Sequence, residues 1–306
     1  MPDLIVCVDF SGFNRRFAHA IRKRVGICTG PFNNWNPGIT QYVSPQVWAS
    51  REGRTYKVAQ DYDQLLTIFP FEKAFYAKRV PRFPVEFVGH PMLDRYAELP
   101  TRPTTVGDSS AEGPLLALLP GSRRGELSRH LPVMLGALKV IQQQAPTVRT
   151  RMVLPSPELV TQAQAMGLPA DLHVQCGGLP EVLSQSTVAI ASTGTVTMEC
   201  AFFGVPTVAL YKTSWSTYQI GKRLVKVKCL AMPNILADEL LFPEFIQNAA
   251  NSQNIAGAGL ELLNDEGRRN RIRMRLGEVV SSLGGPGASE RAASAVLDLY
   301  RKKKSA

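Results

Sequence analysis

What constrains this chain most is an alternation: short apolar runs separated by amphipathic stretches of helix length, repeated along most of the sequence. Strands that alternate with helices pair in parallel and bury both faces of their sheet. In the first part, runs at 4–8, 39–43, 65–69 and 85–88 read as strands, the first of them buried. A helix is expected over Phe13–Lys23, and another opens at Pro70-Phe-Glu-Lys73. The stretch Thr101–Gly113 has the Pro, Gly and Ser content of a linker. A second series of strands follows at 115–119, 151–154, 172–175, 188–191 and 207–211. From Glu266 the chain reads as charged helix, broken at Gly284-Gly-Pro-Gly287 and resumed over Ala288–Lys302. The expected layout is therefore α/β in three parts: 1–108, 109–281, and a helical segment 282–306 that packs back on the first domain or on a partner chain. Four strands are few for a doubly wound domain, so the first domain reads as short.

At 306 residues the chain can bury a sizeable core. Its formal net charge of +10 admits nucleic acid, an anionic membrane surface or an acidic substrate as partner. Part of the excess is local: Lys222, Arg223, Lys226 and Lys228 form one cluster, and Arg301–Lys304 forms another in a tail expected to be solvated. No recognised nucleic-acid motif is present, so that class ranks last and no nucleic-acid partner is expected. Cys7, Cys28, Cys176, Cys200 and Cys229 are scattered, which argues against a disulfide framework or a zinc site and for a reducing compartment. No apolar run reaches the length of a membrane span.

Two stretches carry chemistry. In Leu116-Ala-Leu-Leu-Pro-Gly-Ser-Arg-Arg-Gly-Glu126 an apolar strand ends in a Pro-Gly turn that presents Ser122, Arg123 and Arg124 before a helix. Amides at a helix N-terminus favour an anion, and a guanidinium grips phosphate with two hydrogen bonds. The plainer alternative is a solvated arginine pair. In Ala191-Ser-Thr-Gly-Thr-Val-Thr-Met-Glu199 a strand again runs through a small-residue loop into a helix. There Ser192, Gly194 and Thr195 suit phosphate or ribose oxygens, and Glu199 suits a pair of sugar hydroxyls; an N-cap followed by an ordinary helical Glu reads about as well.

In the first half, Asp9 follows a strand and is a candidate general base, against a helix-capping role helped by Ser11 and Asn14. His90 ends another strand and reads more readily as a hydrogen-bonded turn residue than as a catalyst. Asp61-Tyr-Asp63 spells a metal motif but precedes its strand and has no further ligand nearby. Trp215–Lys228 suits either a membrane or nucleic-acid surface, or a helix with an aromatic core face and a solvated basic one.

Together these pieces resemble the lipid-A-disaccharide synthase family. The matching strings are Tyr-Val-Ser-Pro-Gln-Val-Trp-Ala (42–49), Phe-Pro-Phe-Glu-Lys-Ala-Phe-Tyr (69–76), Val-Glu-Phe-Val-Gly-His-Pro (85–91), Leu-Leu-Pro-Gly-Ser-Arg (118–123), Lys-Arg-Leu-Val-Lys (222–226) and Pro-Asn-Ile-Leu-Ala (233–237). The resemblance implies an α/β fold of the GT-B type: two Rossmann-like domains with a cleft between them, a first domain 1–108 on the acceptor side and 109–281 binding the UDP-sugar. It implies an inverting transferase that joins a UDP-2,3-diacylglucosamine donor to a 2,3-diacylglucosamine 1-phosphate (lipid X) acceptor. It requires no metal or other cofactor. It places the protein in the cytoplasm, peripheral at the inner membrane surface of a Gram-negative-type bacterium, and admits a homodimer. By it Asp9 matches an essential acid and Arg123 an essential cation at the leaving diphosphate. Ser122, Ser192, Gly194, Thr195, Glu199, Asn234 and His90 fall on the substrate-binding side.

The chain departs from the family pattern in several places. The family's Gly-Glu-Ala-Ser-Gly-Asp loop has no counterpart, so the first domain is expected to be truncated at its N-terminal side. Gly12 stands where a second Asp is common, Asp238-Glu-Leu replaces Gly-Arg-Glu, and Pro31–Pro37 is an apparent extra segment. The alternative function these departures suggest is a non-catalytic nucleotide-sugar or membrane-binding remnant.

Overall fold

The computed structural model describes residues 1–27, 30, 34–99 and 113–305. The expected linker, apart from Gly113, lies outside them, as do Cys28 and residues 31–33 of the extra segment. Two compact units form: Met1–Leu99 with Leu224–Lys226 and Ser281–Ala306, and Pro100–Arg223 with Val227–Val280.

In the first unit β1 (Leu4–Val8), α1 (Ser11–Ile27), β2 (Gly38–Tyr42), α2 (Val47–Ser50), α3 (Arg54–Asp61), β3 (Gln64–Thr67), α4 (Pro70–Ala77), β4 (Val85–Phe87) and α5 (Met92–Arg95) follow in order. The strands pair in parallel as β1-β2-β3-β4. Cys7, Ile39 and Leu65 from the strands bury one face against Ala18, Val58 and Tyr76 from the helices. The expectation that β1 is buried holds only for Cys7: Leu4 and Ile5 are half-buried, Val6 is 44% exposed and Val8 56%. The reason is position, because among the described residues β1 is the edge strand. Phe10, Phe13 and Phe17 extend this exposed apolar surface, with ring centroids 6.4 and 5.9 Å apart.

The second unit holds β5 (Leu115–Leu119), α6 (Arg124–Gln144), β6 (Arg149–Leu154), α7 (Pro157–Ala165), β7 (His173–Cys176), α8 (Leu179–Gln185), β8 (Val188–Ser192), α9 (Thr195–Phe202), β9 (Thr207–Tyr211), α10 (Trp215–Leu224), α11 (Met232–Ala237), β10 (Glu244–Ile246), α12 (Ser252–Asn264) and α13 (Glu266–Ser282). Its six strands are parallel in the order β10-β9-β8-β5-β6-β7. β5 and β8 sit side by side at the centre, and every residue of both is buried. Continuous apolar runs such as Leu115–Leu119 are what a strand covered on both faces requires. The sequence order reverses between these two strands, with later strands stepping away on opposite sides. Every strand expected from the pattern forms within two residues of its expected ends, and β10 is additional.

The last helix, α14 (Ala288–Ser305), belongs to the first unit. Ala292, Ala295 and Val296 pack against Leu66, Val88 and Tyr42 on the second face of the first sheet. Asp94 caps this helix: its carboxylate accepts from the amides of Gly287 (2.6 Å), Ala288 (3.0 Å) and Ser289 (2.8 Å). The basic tail is therefore not simply solvated. It is helical to Ser305, and Lys303 pairs with Asp63 at 3.1 Å. Lys303 is placed there because α14 runs along the sheet and carries its last turn to the Asp63 end of β3.

The string around Glu72 shows how sequence sets local structure. Pro70 opens α4 where a missing amide hydrogen is harmless. Glu72, fully buried, reaches back to accept from the Phe69 amide (3.2 Å) and from Trp48 Nε1 (3.0 Å). Burial dominates its titration and pushes the carboxyl up to about 7, against the hydrogen bonds that favour the charged form. A carboxyl whose folded pKa is raised binds more protons folded than unfolded between the two values. Stability of the first unit should thus fall as pH climbs from about 4.5 to about 7, by on the order of 3 kcal/mol. Chemical denaturation between pH 4.5 and 8 should show this slope, and Glu72→Gln should flatten it.

Candidate functional site

In open α/β sheets ligands bind beyond the carboxyl ends of the strands, where the strand order reverses. In the second unit that point lies between β5 and β8. The loops leaving these strands are Pro120–Arg123 and Thr193–Gly194, the two stretches that the sequence singles out.

The first loop is shaped by Gly121 and Glu126. Gly121 has φ +123°, which disfavours any L side chain, and a Cβ there would lie 2.7 Å from Glu126 Oε2 and 3.4 Å from Ser192 Oγ. The same distances place Ser192, the last residue of β8, beside the first loop. Glu126, in the first turn of α6, accepts from the Ser122 amide at 3.1 Å and from Arg123 Nη1 at 3.1 Å. The Arg123 side chain is 81% exposed, so this ion pair is worth at most about 1 kcal/mol and yields readily to a stronger anion. Arg124 and Gly125 begin α6, and their amides find no acceptor among the described residues.

The second loop turns at Gly194, whose φ of +138° again calls for glycine. A Cβ at Gly194 would meet nothing within 4 Å, so the space above it is open. Thr195 is exposed at the first turn of α9, while Ser192 is buried at 3% exposure. Thr197 Oγ1 donates to the Gly194 carbonyl at 2.7 Å and holds the turn. Glu199 sits one turn into α9 at 9% exposure. The starts of α6 and α9, with Arg123, Ser192 and Thr195, thus lie at the carboxyl ends of two neighbouring strands, at the switch point of one sheet. That set of donors suits a diphosphate.

Asn234 does not present its amide to this site. It is buried at the start of α11 and donates to Phe242 O (2.8 Å) and Glu244 Oε1 (2.7 Å), while its Oδ1 accepts from the Phe242 amide (2.8 Å). These bonds use both amide hydrogens and fix the chain between α11 and β10.

In the first unit Asp9 follows β1 with φ +47°, a left-handed conformation uncommon outside Gly, Asn and Asp. Asn14 Nδ2 holds the carbonyls of Val8 (3.0 Å) and Asp9 (2.8 Å), and Gln41 Nε2 holds the Asp9 carbonyl at 2.9 Å. The carboxylate itself is exposed and pairs with no described residue, so it does not act as a helix cap. The geometry is that of an acid held by its backbone and left accessible.

His90 is 6% exposed, and its Nδ1 accepts from the Met92 amide at 3.2 Å. Burial pushes its pKa down to about 4, so the ring is neutral near pH 7 and serves the turn. Asp61 and Asp63 are also accounted for structurally. Asp61 pairs with His19 at 3.1 Å, and Asp63 accepts from Arg22 (2.6 Å) and the Ile39 amide (2.7 Å). Trp215, for which a place on an aromatic core face was one reading, is 75% exposed at the start of α10. Reading the sequence missed His130, which lies directly beneath the first loop and carried no motif.

Two parallel α/β units, one with paired anion-ready loops at its switch point, define a GT-B-type fold. Solved structures agree: an S. aureus MnaA–UDP co-structure superposes with a TM-score of 0.62 at 13% identity, over 97% of this chain and 77% of that one. A UDP-GlcNAc 2-epimerase from Neisseria meningitidis, bound to UDP-GlcNAc, gives 0.59 at 12% identity, over 97% and 76%. The sequence narrows the class further. The profile of the lipid-A-disaccharide synthetase family matches residues 1–299. The lipid-A-disaccharide synthase of Geobacter metallireducens is 36% identical over 99% of this chain and 77% of its own length. That of Trichlorobacter lovleyi is 37% identical over 98% and 76%. The chain belongs to the lipid-A-disaccharide synthase family.

Proposed function

We propose that this chain is an inverting glycosyltransferase that joins UDP-2,3-diacylglucosamine to 2,3-diacylglucosamine 1-phosphate, giving lipid A disaccharide 1-phosphate and UDP. The observation that carries this reading is the pair of donor-rich loops at the β5/β8 switch point, in a chain of this family. Arg123, with the amides that open α6 and α9, binds the donor diphosphate. Ser122, Ser192, Gly194 and Thr195 line its path, and Glu199 orients the nucleotide sugar. Asp9 removes the proton from the acceptor 6-hydroxyl as that oxygen attacks the anomeric carbon. The new C–O bond forms as the bond to the UDP oxygen breaks, so the configuration inverts. UDP leaves with the electron pair, and its growing charge is met by Arg123. None of these residues needs a metal for its part.

No helix among the described residues is long and apolar enough to cross a membrane. The acylated substrates would instead be met at the inner membrane surface, with the exposed Phe10, Phe13 and Phe17 near Asp9 as an apolar approach.

Amide NMR tests the donor half of this reading. Adding UDP should shift the signals of Gly121–Gly125 and Thr193–Thr195 first, and uridine should shift them far less. Equal responses to UDP and uridine would remove the diphosphate from these loops.

A further inference from the structure

His130 lies on α6, less than two turns beyond the anion loop, and is completely buried. Its Nδ1 stands 2.8 Å from the Pro120 carbonyl oxygen, and its Nε2 stands 3.0 Å from the Lys212 amide. These partners fix the ring chemically. A carbonyl only accepts, so Nδ1 carries the hydrogen; a backbone amide only donates, so Nε2 carries the lone pair. A second proton would set one N–H against another. Burial, the dominant influence, lowers the pKa and keeps the ring neutral, in keeping with that geometry.

The two bonds join separate parts of the sheet edge. Pro120 begins the loop after β5, and Lys212 begins the loop after β9. That second loop is latched in turn. Lys212 Nζ donates to the carbonyls of Gln247 (2.9 Å) and Ala250 (3.0 Å). Gln247 clasps Thr213 from both sides, accepting from its amide at 2.8 Å and donating to its carbonyl at 3.2 Å. Gln247 holds φ +54°, a left-handed conformation, to do so. Ser214 then accepts from the Thr217 amide at 3.3 Å in the first turn of α10. The anion loop is thus tied through one imidazole to a braced segment reaching α10.

We propose that His130 is a positioning residue for the donor diphosphate: a neutral strut that sets the anion loop against the β9–α10 loop. The inference rests on the reading that Pro120–Glu126 holds a nucleoside diphosphate. With His130 in place, Gly121, Ser122 and Arg123 keep one geometry before the ligand arrives, and binding orders less backbone. Without it, the Pro120 carbonyl and the Lys212 amide lose their partners, and both loops shift to find water.

The test compares two variants of α6 by UDP titration. His130→Leu removes both bonds and should weaken UDP binding about tenfold or more, raising the donor KM while leaving the acceptor KM unchanged. Leu138→Ala cuts the same helix's buried face about two turns away and lowers stability without touching either loop. It should leave UDP affinity at the wild-type value. Equal loss of affinity in both variants would reduce His130 to a stability residue and overturn the proposal, as would wild-type affinity in His130→Leu. If the wild-type chain itself fails to bind UDP, the diphosphate reading falls, and this inference with it. Nitrogen-15 NMR of the wild-type chain supplies a check that needs no variant. The His130 ring should be the neutral Nδ1–H tautomer both before and after UDP is added, as a strut that holds one geometry requires. The opposite tautomer, or a change of tautomer as UDP binds, would overturn the proposal.

Discussion

Asp9→Asn should lower turnover by about a hundred- to ten-thousandfold while UDP affinity and thermal stability stay at the wild-type level. The size follows from the role: a general base removed from the reaction leaves the acceptor hydroxyl to lose its proton to water. The clean separation follows from the structure. The carboxylate is exposed and pairs with no described residue, so no folding contact goes with it. The backbone is held independently by Asn14 and Gln41. Asparagine is the informative choice because φ at this position is +47°, which Asn tolerates and Ala does not. An alanine variant would add backbone strain to the loss of the base. Turnover, calorimetric UDP affinity and a melting curve on the same preparation check all three expectations. Normal turnover would remove Asp9 from the chemistry.

Arg123→Ala should lower kcat by roughly a hundred- to a thousandfold, as loss of one preorganised donor to a departing charge does elsewhere. It should also weaken UDP binding about tenfold or more, since a charged hydrogen bond to phosphate is lost. Stability should barely change, because the side chain is 81% exposed and its ion pair with Glu126 is a surface one. Arg123→Lys should restore the charge but not the two-pronged grip, and so recover only part of the rate. A paired measurement of kcat and UDP affinity separates this residue from Asp9. Asp9→Asn should lose rate alone, whereas Arg123→Ala should lose rate and affinity together.

Local pattern carried much of this. The buried runs Leu115–Leu119 and Val188–Ser192 and the glycine turns after them are visible in the sequence, because strand, turn and helix start are all short-range features. Their adjacency was not visible. It depends on β5 pairing with β8 across some seventy intervening residues, and only strand order reveals the switch point. The edge position of β1 was hidden for the same reason: Val6 and Val8 look like core until the sheet is assembled. His130 and Gln247 escaped notice because each acts through backbone groups distant in sequence. Asn234 shows the opposite case. Its string identifies the family, yet its side chain is committed to holding Phe242 and Glu244. In the same way Glu72, within another family string, proves to be a buried cap.

The measurement that bears most directly on the proposed function is a product assay with the wild-type chain, UDP-2,3-diacylglucosamine and 2,3-diacylglucosamine 1-phosphate in mixed micelles. UDP and a β-linked disaccharide 1-phosphate should appear in equal amounts, and neither should form when one substrate is left out. UDP released without acceptor, or UDP bound with no disaccharide formed, would contradict it.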